Sequence, residues 1–496
     1  MKRTLTMVLA ALMLCGTLAA CSSGGDSTDT TAAPSAADTT VPAGETADPT
    51  KDADGFMLDS LPADLKFDGE SIGILTWEDV EMPEFEVEEI TGDIVNDAIY
   101  KRNETVANRL GVNFEWYETK GNASNGANYL KAAQNSFNAG EKIYDIYAAY
   151  SRTAGTVAIN GLCYNLNQVQ YLDFEKPWWP ERMLNAFDIN GDLYFISGDI
   201  STNVLHFMYG IYYNKDMSTD YQLTDPTEYV LNGTWTLDKM IEMTTGIYQD
   251  LNNNASVDYD DRFGMTTLSF HMDAFYTGSG LRLVEIDETD TLKISDDFSS
   301  EKTVNLVDKL GPWAATDDFL YGVNDGTYEK SFVEDNALLC LNRMYLADRK
   351  LREVTFTYGI VPVPKYDESQ EKHITVMGNP FTLYMIASDC EDPDMAAAVL
   401  EAMGSAGYRM TTPAIFETNM KVKYSADNVN AQMFDIIREG VDFDLGRIFG
   451  ANLNLMSEMP SNVIWQNKSW ATAVKPYTKV LGTQLGKIVD KLEAIE

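Results

Sequence analysis

Short apolar runs that suit buried strands alternate along the chain with segments whose apolar residues recur at helical spacing. The run 71–77 is the first predicted strand, and a helical face follows over 95–110. Gly111 stands where a helix end favours a residue that tolerates the left-handed conformation, and 112–116 then alternates as a strand does. The same order repeats over 130–150. Strand–helix–strand units with short loops predict a mainly parallel sheet flanked by helices, which is an α/β fold.

The second half of the chain follows the same pattern. Strands are predicted at 337–341 and 358–364, and Asp392-Pro393 supply an N-cap and an N1 proline for a predicted helix. A last helix is predicted over 481–495 from the spacing of its leucines and isoleucines. Single hydrophobic cores stop growing at about 250–300 residues. Because this chain has 496 residues, two α/β lobes are expected.

Charge and composition argue against several classes of function. The formal net charge is −39, so nucleic acid is not expected as a partner. The chain has 3 histidines and carries no Gly-x-Ser-x-Gly elbow, His-Glu-x-x-His helix or P-loop. We therefore expect no enzyme and no organic cofactor, although 76 acidic residues leave a glycosidase-like carboxylate pair as an alternative. The high net charge favours a soluble monomer.

Residues 1–20 have the composition of a secretory signal peptide. Lys2 and Arg3 precede an apolar run that is shorter than the about 20 residues of a membrane-spanning helix. The run ends in Leu18-Ala19-Ala20-Cys21, which resembles the bacterial lipobox, where the Cys is lipidated and becomes the mature N-terminus. The resemblance implies a lipoprotein with an acylated Cys21. Ordinary signal cleavage beside an incidental Cys is the alternative.

Residues 21–65 are predicted to form a disordered tether. They are rich in Ser, Thr, Ala, Asp, Gly and Pro, with almost no large apolar residue before Phe56. Such a segment buries too little apolar surface to offset the entropy lost on ordering. We expect it to connect a lipid anchor, at the extracytoplasmic face of the cell membrane, to the folded lobes. The anchor is the only membrane contact that we expect.

The segment 250–261 has the oxygen spacing of an EF-hand calcium loop. Side-chain oxygens fall at loop positions 1, 3, 5, 7, 9 and 12, which are Asp250, Asn252, Asn254, Ser256, Asp258 and Asp261. Two positions depart from that pattern, with Ala255 in place of Gly and Asp261 in place of Glu. The spacing predicts a structural Ca²⁺ site. A solvated turn rich in Asx residues is the alternative.

Several short motifs occur in a recognisable order. They run from the first strand, which ends in Trp77, to the strand 359–364, and between them lie Tyr144-Asp145-Ile146, Asn160-Gly161-Leu162, Asn190-Gly191-Asp192-Leu193-Tyr194-Phe195-Ile196, Gly210-Ile211-Tyr212-Tyr213-Asn214-Lys215-Asp216 and Gly233-Thr234-Trp235-Thr236-Leu237-Asp238-Lys239. With the lipobox and the polar tether, this series resembles the extracellular solute-binding lipoproteins of bacterial ABC transporters, of the family 1 type related to maltose-binding protein. The resemblance covers nearly all of 66–496.

This resemblance implies a periplasmic-binding-protein-like clamp. Each of its two lobes is a mainly parallel sheet flanked by helices, and the chain crosses between the lobes three times, near Asp199, His373 and Lys421. The first lobe would then contain 66–199 and 373–420, and the second would contain 200–372 and 421–496.

Seven residues are candidates for binding a ligand in the cleft of such a clamp. Trp77, Tyr150 and Arg152 follow strand ends, where α/β folds place ligands, and aromatic faces suit the apolar side of a sugar ring. The resemblance adds four further positions, which are Asn203, Tyr345, Trp465 and Trp470. It does not choose between the last two.

The resemblance implies a lipid-anchored protein that captures a small solute, expected to be an oligosaccharide, and delivers it to the permease subunits of an ABC transporter. A peptide or a cationic solute is one alternative, which the acidic Glu78 and Asp79 beside the cleft would favour. A surface-anchored carbohydrate-active enzyme and a surface adhesin without a transport role are two others.

Overall fold

The computed structural model describes residues 48, 50–289, 291–322, 327–416 and 428–495. The predicted signal peptide, the lipobox with Cys21 and the predicted crossing near Lys421 lie outside these residues. Among the helices in these ranges, none has both the length and the apolar character that crossing a bilayer requires.

The strands of the described residues fall into two main sheets and two small pairs. In chain order they are β1 (Glu70–Trp77), β2 (Val112–Thr119), β3 (Ile146–Tyr150), β4 (Tyr209–Asn214), β5 (Phe263–Leu268), β6 (Val284–Ile286), β7 (Leu292–Ile294), β8 (Phe319–Gly322), β9 (Ala337–Arg343), β10 (Tyr358–Val361), β11 (Thr375–Val376), β12 (Thr382–Ile386) and β13 (Val441–Asp442).

The helices cover both main sheets. In chain order they are α1 (Ile94–Leu110), α2 (Gly126–Ala139), α3 (Ser151–Ala158), α4 (Glu181–Phe187), α5 (Thr202–His206), α6 (Lys215–Asp220), α7 (Pro226–Leu231), α8 (Leu237–Thr244), α9 (Asp273–Gly278), α10 (Glu301–Ala314), α11 (Thr327–Val333), α12 (Tyr345–Arg349), α13 (Pro393–Arg409), α14 (Asn428–Glu439), α15 (Leu445–Ile448), α16 (Met459–Trp465), α17 (Trp470–Val474) and α18 (Thr478–Leu492).

Local sequence signals place several of these boundaries. The Asp93 side chain accepts hydrogen bonds from two backbone N–H groups of the first turn of α1, and Gly111 ends the helix with φ 67°. The Asp392 side chain accepts from the Met395 N–H, and Pro393 occupies the first turn of α13. Gly111 and Asp392-Pro393 confirm the helix ends that the sequence predicts, and Asp93 is a further cap that it did not predict.

The first sheet has the strand order β12-β3-β1-β2. β1 is parallel to both β2 and β3, and β12 adds an antiparallel edge. The second sheet has the order β10-β4-β9-β5-β8, in which β5 is parallel to β8 and β9. β4 runs antiparallel to its two neighbours. Both sheets are therefore mixed and rich in parallel pairs, as the α/β pattern predicts.

The chain passes between the two sheets more than once. It leaves the first sheet after β3, builds the second from β4 to β10, and returns to the first at β12. Helix α13 then packs on α1 beside the first sheet, whereas α14 packs on β10 of the second. The carboxyl ends of β3 and β9 point to the same region, which places the loops of both lobes around one cleft.

Residues 50–65 are folded onto the first lobe, although the sequence predicts a tether up to residue 65. Leu61 is buried, and Asp59 forms an ion pair with Arg109 of α1. The Ser60 hydroxyl donates to Asp173 at 2.7 Å, and the Phe56 ring packs against Tyr408 at 5.7 Å. The few apolar residues between 56 and 61 are enough to order this segment, because the lobe offers them a surface. The folded body begins earlier than predicted.

Candidate ligand-binding cleft

A cavity of about 570 Å³ lies between the two lobes at the carboxyl ends of β3 and β9. Its volume is in the range of small-molecule sites. The first lobe contributes Tyr150 and Arg152, and the second contributes Arg343 and Tyr345. In α/β sheets ligands bind outside the carboxyl ends of the strands, so this cavity is the candidate ligand-binding cleft.

Tyr150 and Arg152 line the cleft from the first lobe, as predicted. Tyr150 is the last residue of β3 and is held edge-on by the Trp77 ring at 5.4 Å between centroids. Burial raises the pKa of the Tyr150 phenol to about 12, so it stays a neutral hydrogen-bonding group. Arg152 donates from Nη1 to Glu458 at 2.8 Å and from Nη2 to Ser457 at 3.3 Å.

Trp77 does not reach the cleft, and this part of the prediction is corrected. The indole is fully buried, and its Nε1 donates to the Thr382 hydroxyl at 3.0 Å. The loop that covers it is held by Asp79, whose carboxylate accepts from the N–H groups of Gly121 and Asn122 at 2.9 and 3.0 Å. Trp77 therefore supports Tyr150 from behind. Asp79 is engaged in this loop, so it does not serve the predicted alternative of a cationic ligand.

Tyr345 lines the cleft from the second lobe, as predicted. Its hydroxyl donates to Glu329 Oε1 at 2.9 Å, and Tyr328 donates to the same oxygen at 2.9 Å. Asn342 adds a longer bond to that oxygen at 3.3 Å. Three neutral donors therefore hold the Glu329 carboxylate against the floor of the cleft. Glu329 was not predicted from the sequence, because it lies on α11 with no motif around it.

A buried ion pair closes the inner end of the cleft. Arg447 Nη1 and Asp273 Oδ2 are 2.5 Å apart, and both side chains are less than a tenth exposed. Arg447 also donates to the Met377 carbonyl at 3.0 Å and to Asn379 at 3.2 Å. Burial raises the pKa of Asp273, and the neighbouring guanidinium opposes this shift by favouring the carboxylate. The other oxygen of Asp273 has no partner among the described residues, so it can accept from a ligand.

Three further predicted residues lie away from the cleft. Asn203 is fully buried in α5, where its amide donates to the Glu84 carboxylate and to the Met82 carbonyl at 3.1 Å. Trp470 is buried in the second lobe, with its Nε1 donating to the Phe298 carbonyl at 2.9 Å. Trp465 packs on Tyr321 at 5.1 Å. These three residues are therefore not part of the cleft, which corrects the prediction. Their side chains form hydrogen bonds or ring contacts within the protein instead.

Arg343 also lines the cleft, and it was not predicted from the sequence. It ends β9 as Tyr150 ends β3, so the same strand-end argument would have found it. Its guanidinium carbon lies 4.8 Å from the ring centroids of both Phe207 and Tyr345. The only carboxylate within ion-pair distance among the described residues is that of Glu81 on the first lobe, at 3.9 Å.

The three carboxylates among the predicted ligands in the loop 250–261 accept hydrogen bonds from within it, whereas Asn252, Asn254 and Ser256 are exposed. Asp250 accepts from the N–H groups of Asn254 and Ala255 at 3.3 and 2.9 Å, and the Asn252 and Asn254 amides donate to Asp258. Asp261 is fully buried and accepts from the Tyr248 hydroxyl at 3.0 Å. Within the described ranges, no group of three or more His, Cys, Asp or Glu side chains is placed to hold a metal ion. The calcium site stays a prediction.

Comparison with known proteins identifies the fold. No protein-family model matches the chain, and no curated protein matches it in sequence. Among solved structures, it is similar to the galacto-N-biose-/lacto-N-biose I-binding protein of the ABC transporter from Bifidobacterium longum, with 11% identity, a TM-score of 0.56, and 87% of this chain and 98% of that chain covered.

Two further solved structures are also similar to this chain. An ABC substrate-binding protein from Listeria monocytogenes, in complex with cycloalternan, has 13% identity and a TM-score of 0.53, with 84% of this chain and 100% of that chain covered. A cyclic alpha-maltosyl-1,6-maltose binding protein from Arthrobacter globiformis has 13% identity and a TM-score of 0.55, with 86% of this chain and 99% of that chain covered. The chain therefore has the two-lobed fold of the extracellular solute-binding proteins, which confirms the predicted fold class.

Proposed function

We propose that this protein is an extracytoplasmic solute-binding protein that captures an oligosaccharide and delivers it to the permease of an ABC transporter. The observation that carries the proposal is the cleft of about 570 Å³ between two lobes of this fold. The names of the solved structures support it, because all three similar proteins are described as binding a sugar or as bound to one.

The side chains around the cleft suit a sugar. Its wall includes the rings of Tyr150, Phe270 and Tyr345, and aromatic side chains suit the C–H side of a pyranose. Arg152, Asp273 and the other charged groups provide donors and acceptors for hydroxyl groups. A few convergent polar groups among aromatic surfaces are the usual composition of a small-molecule site.

Closure of the lobes is the mechanism that we propose for capture. Glu81 of the first lobe and Arg349 of the second meet across the cleft, where Arg349 donates to the Glu81 carbonyl. A ligand that contacts both walls binds the closed arrangement more tightly than the open one, and it shifts the population by that difference in affinity. The closed form is then the one presented to the permease subunits.

A thermal-shift panel of neutral and charged oligosaccharides, peptides and polyamines tests this proposal. A ligand at about a hundred times its Kd should stabilise the fold by about 2.7 kcal/mol. Stabilisation by a sugar, without formation of new products during incubation, supports a binding protein. Stabilisation only by peptides or polyamines contradicts the sugar assignment, and release of shortened glycans would identify the alternative carbohydrate-active enzyme.

Membrane attachment through Cys21 belongs to the same proposal. The lipobox and the polar segment after it support a lipid anchor at the extracytoplasmic face. Cys21→Ser is expected to release the protein from the membrane fraction into the medium. Retention of this variant with membranes would contradict the anchor.

We also propose that the loop 250–261 binds a structural Ca²⁺. The spacing of its oxygens supports this, as do the bonds by which Asp250 and Asp258 draw the loop inward. Titration of Ca²⁺ into chelator-stripped protein is expected to release heat and to raise Tm, and Asp250→Asn is expected to remove both effects. No heat and an unchanged Tm in the wild-type protein would contradict the site.

A further inference from the structure

Arg343 is a buried guanidinium that lacks the partners such a group normally has. It is 7% exposed. Of its five N–H donors, one makes a hydrogen bond among the described residues, from Nη2 to the Tyr345 hydroxyl at the long distance of 3.5 Å, and the buried Nε has no partner. Buried polar groups are hydrogen-bonded in the large majority of cases, so each exception needs an explanation.

The other buried arginines of the described residues have closer partners than Arg343, although the Nε of Arg152 also lacks one. Arg102 donates to Asn103 and to the carbonyls of Ile200 and Glu84 at 3.0, 3.0 and 2.7 Å. Arg152 is paired with Glu458, and Arg447 with Asp273. Of these four buried arginines, Arg343 is the one with no side-chain hydrogen bond or ion pair shorter than 3.5 Å, and unlike Arg102 it lines the cleft.

No carboxylate of the described residues lies close enough to Arg343 to form a short ion pair with it. The Glu81 carboxylate is 3.9 Å away, its side chain is 40% exposed, and it lies on the opposite lobe. The neighbouring Glu329 is already occupied by the hydroxyls of Tyr328 and Tyr345. The rings of Phe207 and Tyr345 stabilise the cation through its face, but they leave the N–H groups in the guanidinium plane without acceptors.

Arg343 has two basic neighbours at the rim of the cleft, in a protein that is otherwise acidic. Arg349 and Lys350 follow it at the rim of the cleft, and both are exposed. Two of the carboxylates around the cleft, Asp273 and Glu458, are matched by their own arginines. The cleft is lined by as many basic as acidic side chains, whereas the whole chain has a formal net charge of −39. Basic groups at the mouth of a cleft attract and orient an anion.

We propose that the ligand carries a negative charge, that its anionic group binds in the plane of the Arg343 guanidinium, and that the protein therefore selects acidic over neutral oligosaccharides. This inference rests on the proposed function and defines the substrate class of the same cleft. A guanidinium presents N–H groups in a rigid fork that matches the oxygens of a carboxylate. A uronic acid carboxylate and a sulfate ester share this chemistry.

The test compares acidic and neutral oligosaccharides by isothermal titration. The acidic probes are tetrasaccharides of polygalacturonate and hyaluronan, which carry carboxylates, and of heparin, which also carries sulfate. The neutral probes are maltotetraose, cellotetraose and xylotetraose. At least one acidic probe is expected to bind more tightly than every neutral one, and the class that binds best identifies the anionic group.

Two matched variants separate charge recognition from a loss of folding. Arg343→Gln removes the guanidinium but keeps a long polar side chain, and it is expected to weaken acidic binding about 30-fold or more. Lys487→Gln makes the same change in net charge at an exposed position of α18 and is expected to leave affinity unchanged. Circular dichroism and Tm establish that both variants are folded. If Arg343→Gln is unstable, Arg343→Lys takes its place. This variant keeps the charge but loses the planar fork of N–H groups, so it is expected to retain only part of the affinity for acidic sugars.

The outcomes distinguish this inference from the proposed function. Binding of neutral sugars alone, or an Arg343→Gln variant that binds acidic sugars as the wild type does, overturns the inference and leaves a sugar-binding protein. Binding of no sugar by the folded wild-type protein overturns the proposed function and this inference together. Tight binding of an acidic probe that is lost in Arg343→Gln and kept in Lys487→Gln supports both.

Discussion

Arg152 and Arg343 occupy comparable positions on opposite walls of the cleft, yet their surroundings differ. Arg152 lies two residues beyond Tyr150 at the end of β3, and its guanidinium is paired with Glu458 at 2.8 Å. Arg343 ends β9 and has its closest carboxylate at 3.9 Å, on the other lobe. The first arginine joins parts of the protein to one another. The second is left with donors that a ligand can use.

This difference separates structural from ligand-directed charge in the cleft. A paired buried charge is costly to disturb, because removing one partner leaves the other uncompensated. A buried charge with few protein partners lowers the stability of the unliganded protein, and it gains the most when a ligand supplies the missing acceptors.

The buried pair of Asp273 and Arg447 is the clearest structural example. Asp273→Asn leaves the Arg447 guanidinium without its carboxylate and is expected to lower the free energy of unfolding by about 3–5 kcal/mol. Chemical denaturation measures this change. Asp490→Asn, at an exposed position of α18, is the matched control and should change it by less than about 0.5 kcal/mol. Equal, small effects of the two variants would contradict a structural role for the pair.

Trp77 and Tyr150 are two neighbouring aromatic residues, of which Trp77 is buried within the protein and Tyr150 lines the cleft. Trp77→Phe loses the bond to Thr382 and leaves a space behind Tyr150, so we expect a loss of about 1–3 kcal/mol in stability. Tyr150→Phe keeps the ring packed on Trp77 and removes only the hydroxyl that faces the cleft, so stability should change by less than about 1 kcal/mol. Denaturation and ligand titration of both variants check this. A greater loss of stability in Tyr150→Phe would reverse the assignment.

Substitution of Glu81 is expected to have the smallest effect, and this effect is on ligand affinity. In the unliganded protein its carboxylate is the only one within ion-pair distance of Arg343 among the described residues, so it competes with an anionic ligand for the same donors. Glu81→Gln is expected to tighten the binding of an acidic oligosaccharide about 2- to 5-fold, which is about 0.4–1 kcal/mol, the range of exposed ion pairs. A weaker affinity in this variant would mean that Glu81 helps to bind the ligand.

Much of the fold could be predicted from sequence, because local signals act on nearby backbone. Gly111 ends α1 in the left-handed conformation, and Asp392 with Pro393 begins α13, as their residue types favour. The strand ends also located part of the cleft, since Tyr150 and Arg152 lie there. These features depend on a few adjacent residues and on the general rule that ligands bind at the carboxyl ends of strands.

The remaining cleft residues depend on contacts that sequence spacing does not encode. Trp77 is at a strand end, but the loop anchored by Asp79 covers it. Asn203 is turned into the protein by Glu84, a carboxylate more than a hundred residues earlier. Glu329 reaches the cleft because two tyrosine hydroxyls hold it there. Each outcome follows from partners brought together only by the folded chain.

The preference of the cleft for an anion can be measured by titrating the wild-type protein with its best acidic oligosaccharide and with the neutral counterpart, in which the carboxylates are methyl-esterified or the sulfates removed. The ring, linkage and length are then the same, and only the negative charge differs. We expect the neutral form to bind about 30-fold more weakly or worse, with the difference lost in Arg343→Gln. Equal or tighter binding of the neutral form would contradict the central claim that Arg343 is reserved for an anionic ligand.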